Sequence, residues 1–290
     1  MAFLKRLIEI TIKLKSPATF GEGLGDTMTL SGHRAGVYIA QAGGDAQGVL
    51  QCQIFGLPLD KMNQLTAIAG VSPTENLGNT IQIAVGTEDD LHLAFTGIIT
   101  SSWANLTNQP DAVLNIISTA AQSAAIEAVG AISYKGDADI KDILSDIAKN
   151  AGFTFENKQN VSIILRNVYL PGSNLDKIKS ICKAARISYT IENNVLAIWP
   201  QEGTRDSEDI FLISPQTGLV GYPTYSSNGI LLMCIYNPLI KIGNKIKIES
   251  QLTPTEGIWS ANNIIHSLES ENPNGNGPWF TTINCTRLNK

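Results

Sequence analysis

The strongest constraint on this chain is a change of apolar period along it. Between Leu7 and Lys15, Ile8, Ile10, Ile12 and Leu14 alternate with Glu9, Thr11, Lys13 and Lys15. Successive strand side chains point to opposite faces, so a period of two predicts a half-buried strand. From residue 140 the spacing becomes helical: Ile140, Ile143, Leu144, Ile147, Ala148 and Ala151 form one stripe. In the last ninety residues the strand pattern returns. The order β, then α+β, then β predicts a β-rich α+β fold: one small barrel over 1–118, a module with two short helices over 119–200, and a second small barrel over 201–290.

In the first region, further strands are expected at Asp26–Ser31, Gly36–Ala40, Gly48–Phe55, Thr80–Val85, Leu91–Ile99 and Ala112–Ser118, separated by glycines and polar clusters at Gly21–Gly25, Gly43–Asp45, Asn76–Asn79 and Gly86–Asp90. A helical turn is expected over Asp60–Ile68, after Pro58. The Ala- and Ser-rich stretch Thr119–Ala131 fits a helix or an extended linker equally.

In the module, Asp139 is placed to cap the first helix, Asp142 to favour its N-terminus and Gly152 to stop it. Ser173 with Asp176 begins a second helix, whose stripe is Leu175, Ile178, Cys182 and Ala185. Strands are expected at Phe153–Glu156, Val161–Leu165, Ile187–Ile191 and Val195–Trp199, the last two joined at Asn193-Asn194, a pair that tolerates positive φ. The last region offers Phe211–Ile213, Gly229–Tyr236, Lys245–Ser250, Ile258–Leu268 and Trp279–Thr286.

Little in the chain points to catalysis. His33, His92 and His266 are far apart, so a metal site would need ligands gathered from different regions. Cys52, Cys182, Cys234 and Cys285 form no C-x-x-C pair and sit among apolar residues, as small buried side chains do; the even count also allows a disulfide. No nucleophile elbow or phosphate-binding loop is present, and Gly21–Gly25 does not match a dinucleotide fingerprint. Asp137, Asp139, Asp142 and Asp146 read as a solvated helix face, and Glu269 with Glu271 as strand surface. The expectation is a protein that is not an enzyme, with no cofactor and no metal.

The net charge of −5 lacks the clustered bases that a phosphate backbone requires. The charged fraction of 16% is low against an average of about 25%. That fits a surface covered by other protein, or a neutral monomer. No apolar run reaches the roughly 18 residues of a membrane helix, and Glu9 interrupts any signal-peptide core, so no membrane association is expected. Lys241, Lys245 and Lys247 alternate with Ile242, Ile246 and Ile248. They read either as a charged surface that resists aggregation or as a contact with an acidic partner or a neighbouring subunit.

An ordered set of short stretches goes beyond generic strand sequence. It comprises Gln53–Leu57 with Met62–Thr66, Tyr134–Gly136, Tyr169–Gly172, Ala197–Pro200, Ile213–Pro223, Tyr236–Pro238 with Ile242-Gly243, and Leu268–Glu271 with Gly277–Thr281. In this order, from about Leu30 to Cys285, they resemble baseplate hub proteins of contractile-tailed bacteriophages, of the Mu type and related prophage tails. The residues also suit a framework: Gly56 and Gly221 for bends, Pro200, Pro215, Pro223 and Pro238 for strand ends or edges, Trp199, Tyr222, Trp259 and Trp279 for burial.

The resemblance implies a structural subunit of a homotrimeric ring, two barrels per chain, that joins a hexameric tail tube to a central spike. DNA would pass through the lumen without specific binding. Implied partners are other copies, the tube protein, the spike and the tape-measure protein. The implied location is the virion tail baseplate, after assembly in the host bacterial cytoplasm. The competing reading is a tail-associated cell-wall hydrolase or glycan-binding module.

Overall fold

The computed structural model of the chain describes residues 5–21, 25–66, 78–107, 111–127, 129–206, 208–227, 229–273, 275 and 277–288. The centre of the Gly21–Gly25 run, the end of the expected Asp60–Ile68 turn and the first half of Asn76–Asn79 lie outside them. The architecture is β-rich α+β.

The alternating run forms β1 (Leu7–Lys13), with Ile8, Ile10 and Ile12 buried. It is followed by β2 (Thr27–Leu30), β3 (Ala35–Ala42), β4 (Val49–Phe55), α1 (Leu59–Leu65), β5 (Thr80–Thr87), β6 (Asp90–Asn105) and β7 (Val113–Thr119). Their ladders are antiparallel, in the order β3-β4-β7-β6-β5-β1-β2. β6 runs past the expected end at Ile99 because a bulge between Ile99 and Ser101 restores its register with β7.

Most of the Ala- and Ser-rich stretch is short: α2 (Gln122–Ile126) covers only part of it. Then come β8 (Ile132–Asp139), α3 (Ile140–Asn150), β9 (Thr154–Glu156), β10 (Ile164–Leu170), α4 (Asn174–Ala185), β11 (Ile187–Glu192) and β12 (Val195–Pro200). Both helices start as their sequences predict. The Asp139 side chain accepts from the Lys141 N–H at 3.0 Å, and Ser173 with Asp176 forms a reciprocal capping box. α3 ends with the Phe153 N–H on the Ala148 carbonyl at 2.8 Å and the Gly152 N–H on that of Lys149 at 3.2 Å, the paired bonds of a Schellman stop. Asn193 and Asn194, at φ 49° and 61°, turn the β11–β12 hairpin. The two helices share one core with these strands, including Ile143, Leu144, Ile147, Ile178, Ile181, Leu196 and Ile198.

The remaining elements are β13 (Ile210–Ile213), β14 (Leu219–Ser226), β15 (Gly229–Ile235), β16 (Lys245–Ile248), a 3-10 turn at Thr253–Thr255, β17 (Gly257–Ser270) and β18 (Trp279–Arg287). β14 pairs with β15, β15 with β18, and β18 with β17; β16 joins β17 on one side and β13, in parallel, on the other. Pro223 sits where the β14–β15 register shifts, and Gly56 and Gly221 take positive φ at bends. Among the described residues, the ladders of each region form an open path and no ring of strands closes.

The chain forms two compact units. One gathers 1–40, 49–120 and 266–280; the other gathers 41–48, 121–265 and 281–290. β17 and β18 therefore each contribute residues to both.

Candidate interaction surfaces

Lys245 and Lys247 lie in β16, whereas Lys241 lies in the loop before it, where its N–H donates to Asn244 Oδ1 at 2.7 Å. Lys247 pairs with Glu249 at 2.7 Å, both side chains about half exposed. The ladders set Lys245 beside Ile210 of β13, and Lys247 beside Leu212 of β13 and Ile258 of β17. Ile210, Leu212 and Ile258 are all exposed. The outer face of these strands thus interleaves lysine with branched apolar side chains. The outer face of β15 is more apolar still: Leu231, Met233 and Ile235 are exposed while Ile230, Leu232 and Cys234 between them are buried. A face of this kind marks interaction sites on soluble proteins.

Lys241 borders a recess of about 340 Å³ with Glu156, Lys158, Arg205 and Asp209. Behind it lies a buried charge cluster that sequence reading did not single out. Arg205 Nε donates to Glu156 Oε1 at 2.7 Å and Arg205 Nη1 to Glu192 Oε2 at 2.8 Å. Burial pushes the Glu192 carboxyl up, with Arg205 pulling against it. For Glu156, burial also pushes upward, but the hydrogen bond and charge of Arg205 prevail and hold it below the usual carboxylate range. Gly243 makes room for the guanidinium stem: a Cβ there would stand 2.9 Å from Arg205 Cβ and from the Trp199 ring. Two acids on one base, inside a strand framework, form a structural tie. The sequence held no signal for it, because residues 156, 192 and 205 belong to different elements.

The second unit also carries a cleft of about 1070 Å³. The loop after β3 forms one wall. It is pinned by the Gly43 N–H on the Asn262 carbonyl at 3.1 Å, the Gly44 N–H on that of Tyr189 at 2.8 Å, and Tyr189 Oη on Asp45 at 2.8 Å. The C-terminal half of α4 and its C-cap bring Lys179, Lys183 and Arg186 to the lining, which also includes Arg287 of β18. Asp45 and Glu202 are the acids on its lining, so the cleft carries an excess of positive charge.

The expected chemical candidates stay apart or buried. Asp142 and Asp146 face solvent on α3, and Tyr134 donates to Asp146 at 3.2 Å. Asp137 pairs with Arg166, Glu271 with Lys5, and Glu269 lies 3.9 Å from Arg34. All four cysteines are free thiols in the interior, and burial pushes Cys52 and Cys234 up to about 12. Among the described residues, no three His, Cys, Asp or Glu side chains gather as metal ligands would.

A family model described as baseplate hub gp41 matches residues 61–285. Several solved structures share the fold. The 43 kDa tail protein of prophage MuSo2 from Shewanella oneidensis is 10% identical, with TM-score 0.64 over 97% of each chain. A tail protein from Neisseria meningitidis is 10% identical, with TM-score 0.64 over 96% of each chain. An E. coli type VI secretion component, described as similar to bacteriophage T4 tail proteins gp27 and gp5, is 12% identical, with TM-score 0.61 over 89% of this chain and 74% of that one. At such identities the likeness is one of fold. No curated protein matches the chain in sequence.

Proposed function

The chain belongs to the baseplate hub gp41 family, and from that premise we propose that three copies form a ring that joins the tail tube to the central spike. A structural part in the phage tail baseplate follows from the family. The ring, the tube and spike contacts, and the passage of DNA through the lumen are the finer reading. So are a non-enzymatic role, a contact with the tape-measure protein, and assembly in the host cytoplasm before incorporation into the virion.

The observation that supports the ring is the exposure of Leu231, Met233 and Ile235 on β15. Three branched or flexible apolar side chains on the solvent face of one strand favour association, since covering them removes apolar area from water. Lys245 and Lys247, beside exposed Ile210, Leu212 and Ile258, give an adjacent face with charge for selectivity. The net charge of −5 suits a lumen that passes DNA without holding it.

The test is mass in solution together with negative-stain imaging. A three-chain mass and rings with a central hole are expected. A species that stays monomeric alone and with tube and spike proteins added contradicts the ring.

A further inference from the structure

The cleft on the second unit has a charge that its own unit leaves largely unanswered. Lys179 and Lys183 of α4 and its C-cap Arg186 line it; none makes a close ion pair among the described residues, and Lys179 feels only the charge of Asp176 one turn back. Arg287 also lines it, its guanidinium 6.0 Å from the centroid of Trp259. Asp45 is engaged by Tyr189, which leaves Glu202 as the other acid of the lining.

The first unit presents the opposite. The β5–β6 hairpin turns through two residues, Glu88 and Asp89, between the paired Thr87 and Asp90. Glu88, Asp89 and Asp90 are all exposed. Among the described residues Asp90 lies 3.1 Å from His92 Nε2, and the charge of Glu88 reaches Lys5 without a close pair. Three consecutive carboxylates, two on the turn and one at the first residue of β6, form a narrow acidic point.

We propose that the basic cleft takes the acidic hairpin tip, Glu88-Asp89-Asp90, of a second copy of this chain. The contact rests on the homotrimer reading and gives it a chemistry. The two surfaces differ, so each copy offers a tip to one neighbour and a cleft to the other, the heterologous arrangement that closes into a ring. A nucleic acid is the poorer occupant: a short cleft with four bases and two acids on its lining does not track a phosphate backbone, and the chain as a whole is acidic. A contact between exposed charges weakens with salt, over a screening length of about 8–10 Å at ordinary ionic strength.

Solution mass of the full chain over a dilution series tests this. One variant reverses the cleft (Lys183→Glu with Arg186→Glu). Another reverses the tip (Glu88→Lys with Asp89→Lys). A third carries all four changes. The tip variant should melt like the wild type, because Glu88 and Asp89 are exposed. The cleft variant puts two acids at the C-terminal end of α4, where the helix dipole disfavours them, so it should melt somewhat lower and its mass is read well below that melt. Each reversal alone should raise the concentration at which trimers dissociate by about tenfold or more, since like charges meet at every contact. The fourfold variant should restore trimers.

Mixing the two single-surface variants is the decisive arm. Unlike copies attract and like copies repel, and three positions cannot alternate, so open pairs should form in place of closed trimers. Reversals that trimerise like the wild type would overturn the contact and leave the trimer standing. A wild type that stays monomeric alone and with tube and spike proteins added would overturn both. Rescue by the fourfold variant without pairing in the mixture would place the contact within one chain and overturn the proposal.

Discussion

His266 of β17 is buried, and burial pushes its pKa down to about 4. An imidazolium loses hydration in such a place, so the folded chain holds the ring neutral. The unfolded chain takes up a proton near pH 6.5. The folded pKa therefore lies below the unfolded one. Stability from this residue is intact above about pH 6.5 and falls as pH drops toward 4. About two pH units of this window correspond to about 3 kcal/mol. Urea midpoints at pH 7 and pH 4.5 measure the loss. A His266→Gln variant should show a smaller drop between the two pH values, because carboxylates alone then set the slope. Equal drops in both proteins would show that His266 has no part in the acid sensitivity. The same enclosure governs the cysteines, whose burial follows from their apolar neighbours in sequence; the depressed His266 could not be read that way, because its burial depends on which residues pack around β17.

Elements are tied by groups that no single element contains. Glu156 lies at the end of β9, Glu192 at the end of β11, and Arg205 in the loop before β13; one guanidinium bonds both acids. Replacing Arg205 with Met would leave buried Glu192, and part-exposed Glu156 beside it, without their cation and should cost about 3–5 kcal/mol. Arg205→Lys should rescue only part of it, since an ammonium lacks the fork that reaches Glu156 and Glu192 together. Urea unfolding of the three proteins checks both, and an Arg205→Met variant as stable as wild type would show that the cluster contributes nothing. Elements whose determinants are local were legible in sequence. α3 and α4 carry an apolar stripe and their own caps, and the Asn193-Asn194 hairpin carries its own turn chemistry. β14 was not, because Pro223 argues against a strand until an edge position and a bulge accommodate it. β8 was not either: its alternate residues are only half-buried, so Ile132–Asp139 shows no apolar face to read. For the candidate site, the strand placement of Lys245 and Lys247 was legible from alternation. The basic cleft was not, because its walls come from residues 43–45, 179–189 and 286–287.

At the scale of the molecule, chain order and spatial order part company. The first unit needs 266–280 from the far end of the chain, with buried Leu268 and Trp279 among them. The second unit takes residues 41–48 and 281–290 around its long central stretch. One core is nevertheless contiguous in sequence: the cluster shared by α2, α3, α4 and their strands runs from Ala124 to Ile198. Apolar burial is the main driving force of folding, so a segment that holds a whole core holds most of its own stability. It also exceeds the roughly 40 residues below which domains need added staples. The stretch 119–206, which retains Arg205 with both of its acids, should therefore fold when made alone, with a cooperative melt followed by helical circular dichroism. The stretch 1–120 should not, because its unit lacks the 266–280 segment, and adding that segment as a separate peptide should restore order only at high concentration. A cooperative melt from 1–120 and none from 119–206 would reverse the assignment, and would mean that ladder hydrogen bonds, more than contiguous cores, decide which part of this chain is autonomous.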